Sequence, residues 1–110
     1  MTTVTFHTKD GRITGFDAEG HSGYAEAGAD IVCAAVTSAV RLAECTVNEV
    51  LGVCAAVRAD ERTAAISFRL PGSLGDAAES ASQAVLTGLM VYLSELHGEY
   101  PEHVEVLEAQ

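Results

Sequence analysis

Five segments alternate between apolar and polar residues, as half-buried β-strands do. They are residues 3–8, 12–18, 53–59, 63–70 and 103–107. The first two are joined by the turn Lys9-Asp10-Gly11, and the next two by the charged turn Asp60-Glu61-Arg62. The pattern therefore predicts two β-hairpins and one further strand.

Two longer segments repeat their apolar residues at the spacing of an α-helix. The first runs from Ile31 to Leu51, with Asp30 as its predicted N-cap, and the second runs from Gly75 to His97. The resulting order is β-β-α-β-β-α-β. It predicts an α+β fold in a single domain over residues 1–110, with both helices packed on a mostly antiparallel sheet.

Charge narrows the classes of function that fit this fold. Among 110 residues, 16 Asp and Glu oppose 6 Lys and Arg, a formal net charge of -10 that disfavours nucleic acid and anionic membranes as partners. The sequence contains neither a signal-peptide pattern nor 18 or so uninterrupted apolar residues. Its three cysteines are odd in number and lack CxxC spacing. We therefore expect a cytoplasmic protein with reduced thiols.

A glycine-rich segment, residues 20–30, separates the first hairpin from the first helix and is predicted to be a loop. It contains no Lys or Arg and matches neither GxxxxGK[ST] nor GxGxxG, so nucleotide binding is not indicated. The histidines and cysteines of the chain also match no zinc-ligand spacing. We expect neither a cofactor nor a metal.

Cys33 and His21 are the candidate catalytic pair. With Asp30 as the N-cap, Cys33 falls at the third helical position, where unpaired amides and the helix macrodipole favour a thiolate. The loop can bring the His21 imidazole back over the helix start to accept and return a proton. The residues alone leave open a purely structural role for Cys33, since a cysteine in an Ala- and Val-rich helix is commonly a core residue. Cys45 and Cys54 are predicted to be inert core thiols.

The stretch G-H-S-G-Y-A-E-A-G-A-D-I-V-C-A-A-V, residues 20–36, resembles the signature of the ribosomal-processing cysteine proteases of bacteria, the Prp or YsxB type. The similarity is most specific in the GH pair and in G-x-D-I-V-C-A-A-V, while length and element order match along the whole chain. One departure follows this segment. The family usually continues with Ser, where this chain has Thr37-Ser38, so a hydroxyl is kept.

The resemblance implies a cysteine endopeptidase with Cys33 as nucleophile and His21 as base, and with Asp30 in a supporting or helix-capping role. It implies that the substrate is the precursor of large-subunit ribosomal protein twenty-seven, which loses a short N-terminal extension after an apolar, aromatic-containing stretch. It also implies a homodimer and a loop that covers the substrate. The expected loop residues are Gly20, Ser22, Gly23, Tyr24 and Gly28.

Two further functions are compatible with the sequence. The chain could be a non-catalytic, homodimeric binding module or escort for a basic ribosomal protein, in which Cys33 only packs. The acidic surface suits a basic partner under either function, although it also serves solubility. A thiol hydrolase or redox-responsive protein is the third possibility, but Cys45 lies roughly 18 Å along the helix from Cys33, too far for a direct disulfide.

Overall fold

The computed structural model describes residues 1–20, 27–60, 62–63 and 65–110, and within these ranges five strands form one sheet. The strands are β1 (Thr2–Lys9), β2 (Arg12–Glu19), β3 (Ala56–Asp60), β4 (Ala65–Arg69) and β5 (Val104–Ala109). Their order across the sheet is β3-β4-β2-β1-β5, in which β1 and β5 are parallel and the other neighbours antiparallel. The predicted element order and mostly antiparallel sheet are confirmed.

The first hairpin turns tightly through two residues. Asp10 and Gly11 both have positive φ, 53° and 78°, and they join Lys9 to Arg12. Positive φ at both central positions defines a type I′ turn, for which Asp-Gly is a preferred sequence. The turn chemistry therefore fixes the pairing of β1 with β2, the two strands that lead to the candidate site.

Two helices connect these strands, and the first begins earlier than predicted. Helix α1 covers Ala27–Cys45 and continues into a π-helical turn, Thr46–Val50, while α2 covers Asp76–Glu99. Ala has the highest helix propensity, so the helix extends back through the Ala-Gly-Ala run that its glycine content marked as loop. Asp30 consequently lies inside α1, and its prediction as the helix cap is wrong.

The π-helical turn ends in contacts that hold the following segment in place. The Asn48 side chain accepts a hydrogen bond from the Ala55 amide at 2.7 Å and donates one to the Ala55 carbonyl at 3.2 Å. These two bonds imitate a strand pairing immediately before β3. The predicted uninterrupted helix to Leu51 did not include this turn.

Apolar side chains from all but one of the strands and from both helices form one core on one face of the sheet. Three phenylalanines pack together across β1, β2 and β4. The Phe6 and Phe16 rings are tilted, with centroids 5.8 Å apart, and the Phe16 and Phe68 rings are stacked at 5.0 Å. The opposite face of the sheet is polar. It presents residues such as Thr5, Asp17 and Ser67, which alternate with the buried positions.

Much apolar surface on the helices remains outside this core. Ile31–Val50 has a mean hydropathy of 1.3 and is long enough to cross a membrane by length and composition, although a core helix meets the same weak test. Two predicted core thiols are also outside the core. Cys45 and Cys54 are both exposed, Cys54 with a φ of 60°, so their prediction as buried core residues is wrong.

Candidate active site

Cys33 lies in the second turn of α1, partly buried, at one end of a small cleft of about 40 Å³. The sheet contributes Thr2, residues 18–20 and Ile66 to this cleft, and α1 contributes Val36 and Val40. The cleft therefore forms where α1 crosses the ends of three strands. Cys33 is therefore partly exposed rather than buried within the core.

Gly20 explains why the chain reaches this cleft in one specific conformation. Its φ is +85°, and a Cβ atom built on it would lie 2.3 Å from the Met1 carbonyl oxygen. Only glycine avoids both the left-handed backbone strain and the clash. Gly20 lines the cleft, and His21 is the next residue in the sequence.

Several predicted site residues lie outside the described residues. These are His21, Ser22, Gly23 and Tyr24. The pairing of His21 with Cys33 therefore stays a prediction. Gly28 was predicted to lie in the substrate loop, but it is the second residue of α1, so its placement in a loop is wrong, and its role towards the substrate stays a prediction.

The helical position of Cys33 changes the chemistry expected of it. It is the seventh residue of α1, so its own amide belongs to the helical hydrogen-bond ladder and is not one of the unpaired amides of the first turn. The predicted third helical position is wrong because the helix begins at Ala27. The macrodipole acts mainly within the first turn, so activation of the Cys33 thiol has to come chiefly from a neighbouring group.

The hydroxyl that follows C-A-A-V is placed in the cleft. Thr37 is one helical turn beyond Cys33 and lines the same cleft, whereas Ser38 lines a groove between α1 and α2. Thr37 therefore occupies the position at which the resemblance indicated Ser. Within the described part of the chain, no group of three or more His, Cys, Asp or Glu could hold a metal ion.

A charged cluster on the open face of the sheet was missed in the sequence. Asp17 accepts one hydrogen bond from Arg69 at 3.0 Å and pairs with the His7 ring at 2.8 Å. The hydrogen bond from Arg69, with smaller contributions from His7 and Ser67, outweighs burial and lowers the pKa of Asp17 to about 2. The alternating pattern assigns these residues to one face, but not the cross-strand register that joins them.

Fold and cleft together define a small α+β protein with a candidate active site centred on one cysteine. The family model described as "Cysteine protease Prp" matches residues 1–105. The chain therefore belongs to the Prp family of cysteine proteases.

Similar proteins support the same assignment. The chain is 31% identical to the ribosomal processing cysteine protease Prp of Bacillus subtilis over 97 residues, which cover 88% of this chain and 87% of that protein. Two crystal structures of the essential ribosomal processing protease Prp from S. aureus share the fold over 99% of this chain and all of theirs. The complex with a substrate peptide gives a TM-score of 0.80 at 24% identity, and the complex with a covalently linked product peptide gives 0.78 at 26%.

Proposed function

We propose that this protein is a cytoplasmic endopeptidase that removes a short N-terminal extension from the precursor of large-subunit ribosomal protein twenty-seven. Cys33 is the nucleophile and His21 is the base. The observation that supports this proposal is that Cys33 and Gly20 line one cleft, since Gly20 directly precedes the histidine in the sequence. The Bacillus subtilis relative, named for ribosomal processing, supports the substrate class.

The reaction follows from these two groups. His21 takes the thiol proton, and the Cys33 sulfur attacks the scissile carbonyl carbon to form a tetrahedral oxyanion. Collapse of this intermediate breaks the carbon–nitrogen bond, and the imidazolium gives its proton to the departing amine. A thioester remains on Cys33. His21 then deprotonates a water that attacks the thioester, which releases the second product and restores the thiol.

The charge of the protein supports a basic substrate. At a formal net charge of -10, its long-range field attracts a cationic polypeptide and speeds the encounter. This attraction would serve an escort equally well, so charge alone does not separate the protease from a binding module. Catalytic turnover of the precursor distinguishes the protease from the binding module.

Cleavage of the purified precursor, followed by intact-mass spectrometry, tests the proposal. We expect Cys33→Ala and His21→Ala to abolish cleavage while the circular dichroism spectrum stays unchanged. Cys45→Ala is the matched control, because Cys45 is an exposed thiol on the same helix. Binding of the precursor without cleavage by the unmodified protein would instead support the escort. Full cleavage by Cys33→Ala would refute the mechanism.

The proposed assembly is a homodimer formed through the groove between α1 and α2. This groove has a volume of about 600 Å³, and Leu42 and Tyr92 on its walls are 69% and 46% exposed. Large exposed apolar patches are typical of protein interfaces. Light scattering after size exclusion should give a dimer mass for the protein and a monomer mass for Leu42→Glu. Val50→Glu, at a residue that is 73% exposed and does not line the groove, should remain dimeric.

A further inference from the structure

The Cys33 cleft shares lining residues with a second, larger groove on the sheet. This groove, about 740 Å³ in volume, runs over the open face of β2, β3 and β4. Ala18, Glu19 and Ile66 line both cavities. The two cavities therefore adjoin at these three residues.

Glu19 is the charged side chain at this junction. It is exposed at the end of β2, and among the described residues that line the Cys33 cleft it is the one carboxylate. It makes no ion pair or side-chain hydrogen bond with another described residue. Its charge is thus available to a ligand.

The other charges along the groove restrict where a cation can bind. Asp17 is already engaged by Arg69 and His7. Arg58 and Arg62 line the same groove and would repel a second cation there. Asp60 also lines the groove and is exposed, but it accepts the Arg62 amide at 2.9 Å and lies between Arg58 and Arg62 in the sequence. Glu19 is the carboxylate that the groove shares with the Cys33 cleft.

We propose that Glu19 is a specificity-determining residue that binds a Lys or Arg side chain of the substrate close to the scissile bond. This inference rests on the proposed protease function and deepens it. The peptide reaches from the Cys33 cleft across Glu19, and the basic side chain pairs with the carboxylate at the rim. Because this pair forms near solvent, it contributes selectivity that weakens as salt is added.

Peptides spanning the precursor cleavage site, each with Lys, Ala or Glu at one position within three residues of the scissile bond, test this proposal. For the unmodified protein we expect kcat/KM to be highest with Lys at one such position. Glu19→Gln should reduce the Lys-to-Ala ratio about fivefold, mainly through KM, which corresponds to one partly exposed ion pair. Glu19→Lys should reverse the preference to Glu. Glu108→Gln, an equal change of charge on β5, should leave the ratio unchanged.

The outcomes separate this inference from the protease function itself. Unchanged Lys-to-Ala ratios in both Glu19 variants would overturn the role of Glu19 while cleavage continues. An equal loss of kcat for every peptide would also overturn it, since a structural role lowers all rates alike. If the unmodified protein cuts none of the peptides, the protease proposal fails. Fluorescence anisotropy with Cys33→Ala then measures whether Lys peptides still bind more tightly than Glu peptides and whether Glu19→Gln removes that difference.

Discussion

A single methyl group added at Gly20 should disturb the candidate active site through the N-terminal strand. The Cβ atom of an alanine there would lie 2.3 Å from the Met1 carbonyl oxygen, well inside van der Waals contact. That carbonyl cannot simply move away. The Thr2 amide beside it donates to the His103 carbonyl at 2.9 Å, and β1 is paired on both sides.

Substitutions at two other glycines separate the contributions of backbone strain and of steric overlap to the loss of stability. Gly52 has a φ of +67° and no heavy atom within 4 Å of an added Cβ, so Gly52→Ala introduces backbone strain alone, about 1–2 kcal/mol. Gly72 has open space without a positive φ, so Gly72→Ala should change stability little. Gly20→Ala adds overpacking of about 1–3 kcal/mol to the strain, which gives a total of about 2–5 kcal/mol.

Urea unfolding of the three variants measures these differences as shifts in free energy. Cleavage of the precursor, at a temperature where each variant remains folded, measures the effect on the site. We expect Gly20→Ala to lose roughly 100-fold in kcat/KM, because a displacement of about 1 Å at a reacting centre has that effect. Gly52→Ala should keep its rate. The reasoning is refuted if Gly20→Ala unfolds at the same urea concentration as Gly52→Ala.

Two predictions concern stability elsewhere in the fold. The depressed pKa of Asp17, about 2, means that its carboxylate stabilises the folded state above the unfolded pKa and loses this contribution as the pH falls towards 2. Since the side chain is 38% exposed, Asp17→Asn should destabilise by only about 1 kcal/mol at pH 7, and urea unfolding near pH 2 should find the difference greatly reduced. A difference that stays constant with pH would contradict this. Ser82 is fully buried in α2, and its hydroxyl has no hydrogen-bond partner among the described residues. Ser82→Ala should therefore stabilise the folded protein by about 1 kcal/mol. A lower urea midpoint for this variant would contradict the prediction.

The strands of this fold could be predicted from the sequence because the alternation of apolar and polar residues is a local pattern. The Asp10-Gly11 turn and the flanking pattern determine the first hairpin without help from the rest of the chain. The parallel pairing of β5 with β1 is different, since it joins residues about a hundred positions apart and depends on the finished core. The start of α1 was misplaced for a related reason. Glycine content indicated a loop, whereas the alanines beside Gly28 continue the helix.

The candidate site, like the fold, could be predicted from the sequence only in part. Cys33 and Gly20 were identifiable from the motif, and the structure brings both to one cleft. Glu19 was overlooked because an acidic residue at the end of a strand has no periodic or motif signal. Its place beside Cys33 appears only when β2 and α1 are packed together.

The parallel pairing of β1 with β5 has a practical consequence for labelling and fusion. Thr2 lies opposite Val104, and His7 lies opposite Ala109, so the two chain ends are at opposite ends of this strand pair. Six residues of extended chain separate the two ends by about 20 Å. A tag attached before Met1 would begin beside Gly20 and Thr2, which line the Cys33 cleft. A tag attached after Gln110 would lie at the other end of β1 from the cleft, which makes the carboxyl end the suitable site for purification handles, fluorophores or surface immobilisation.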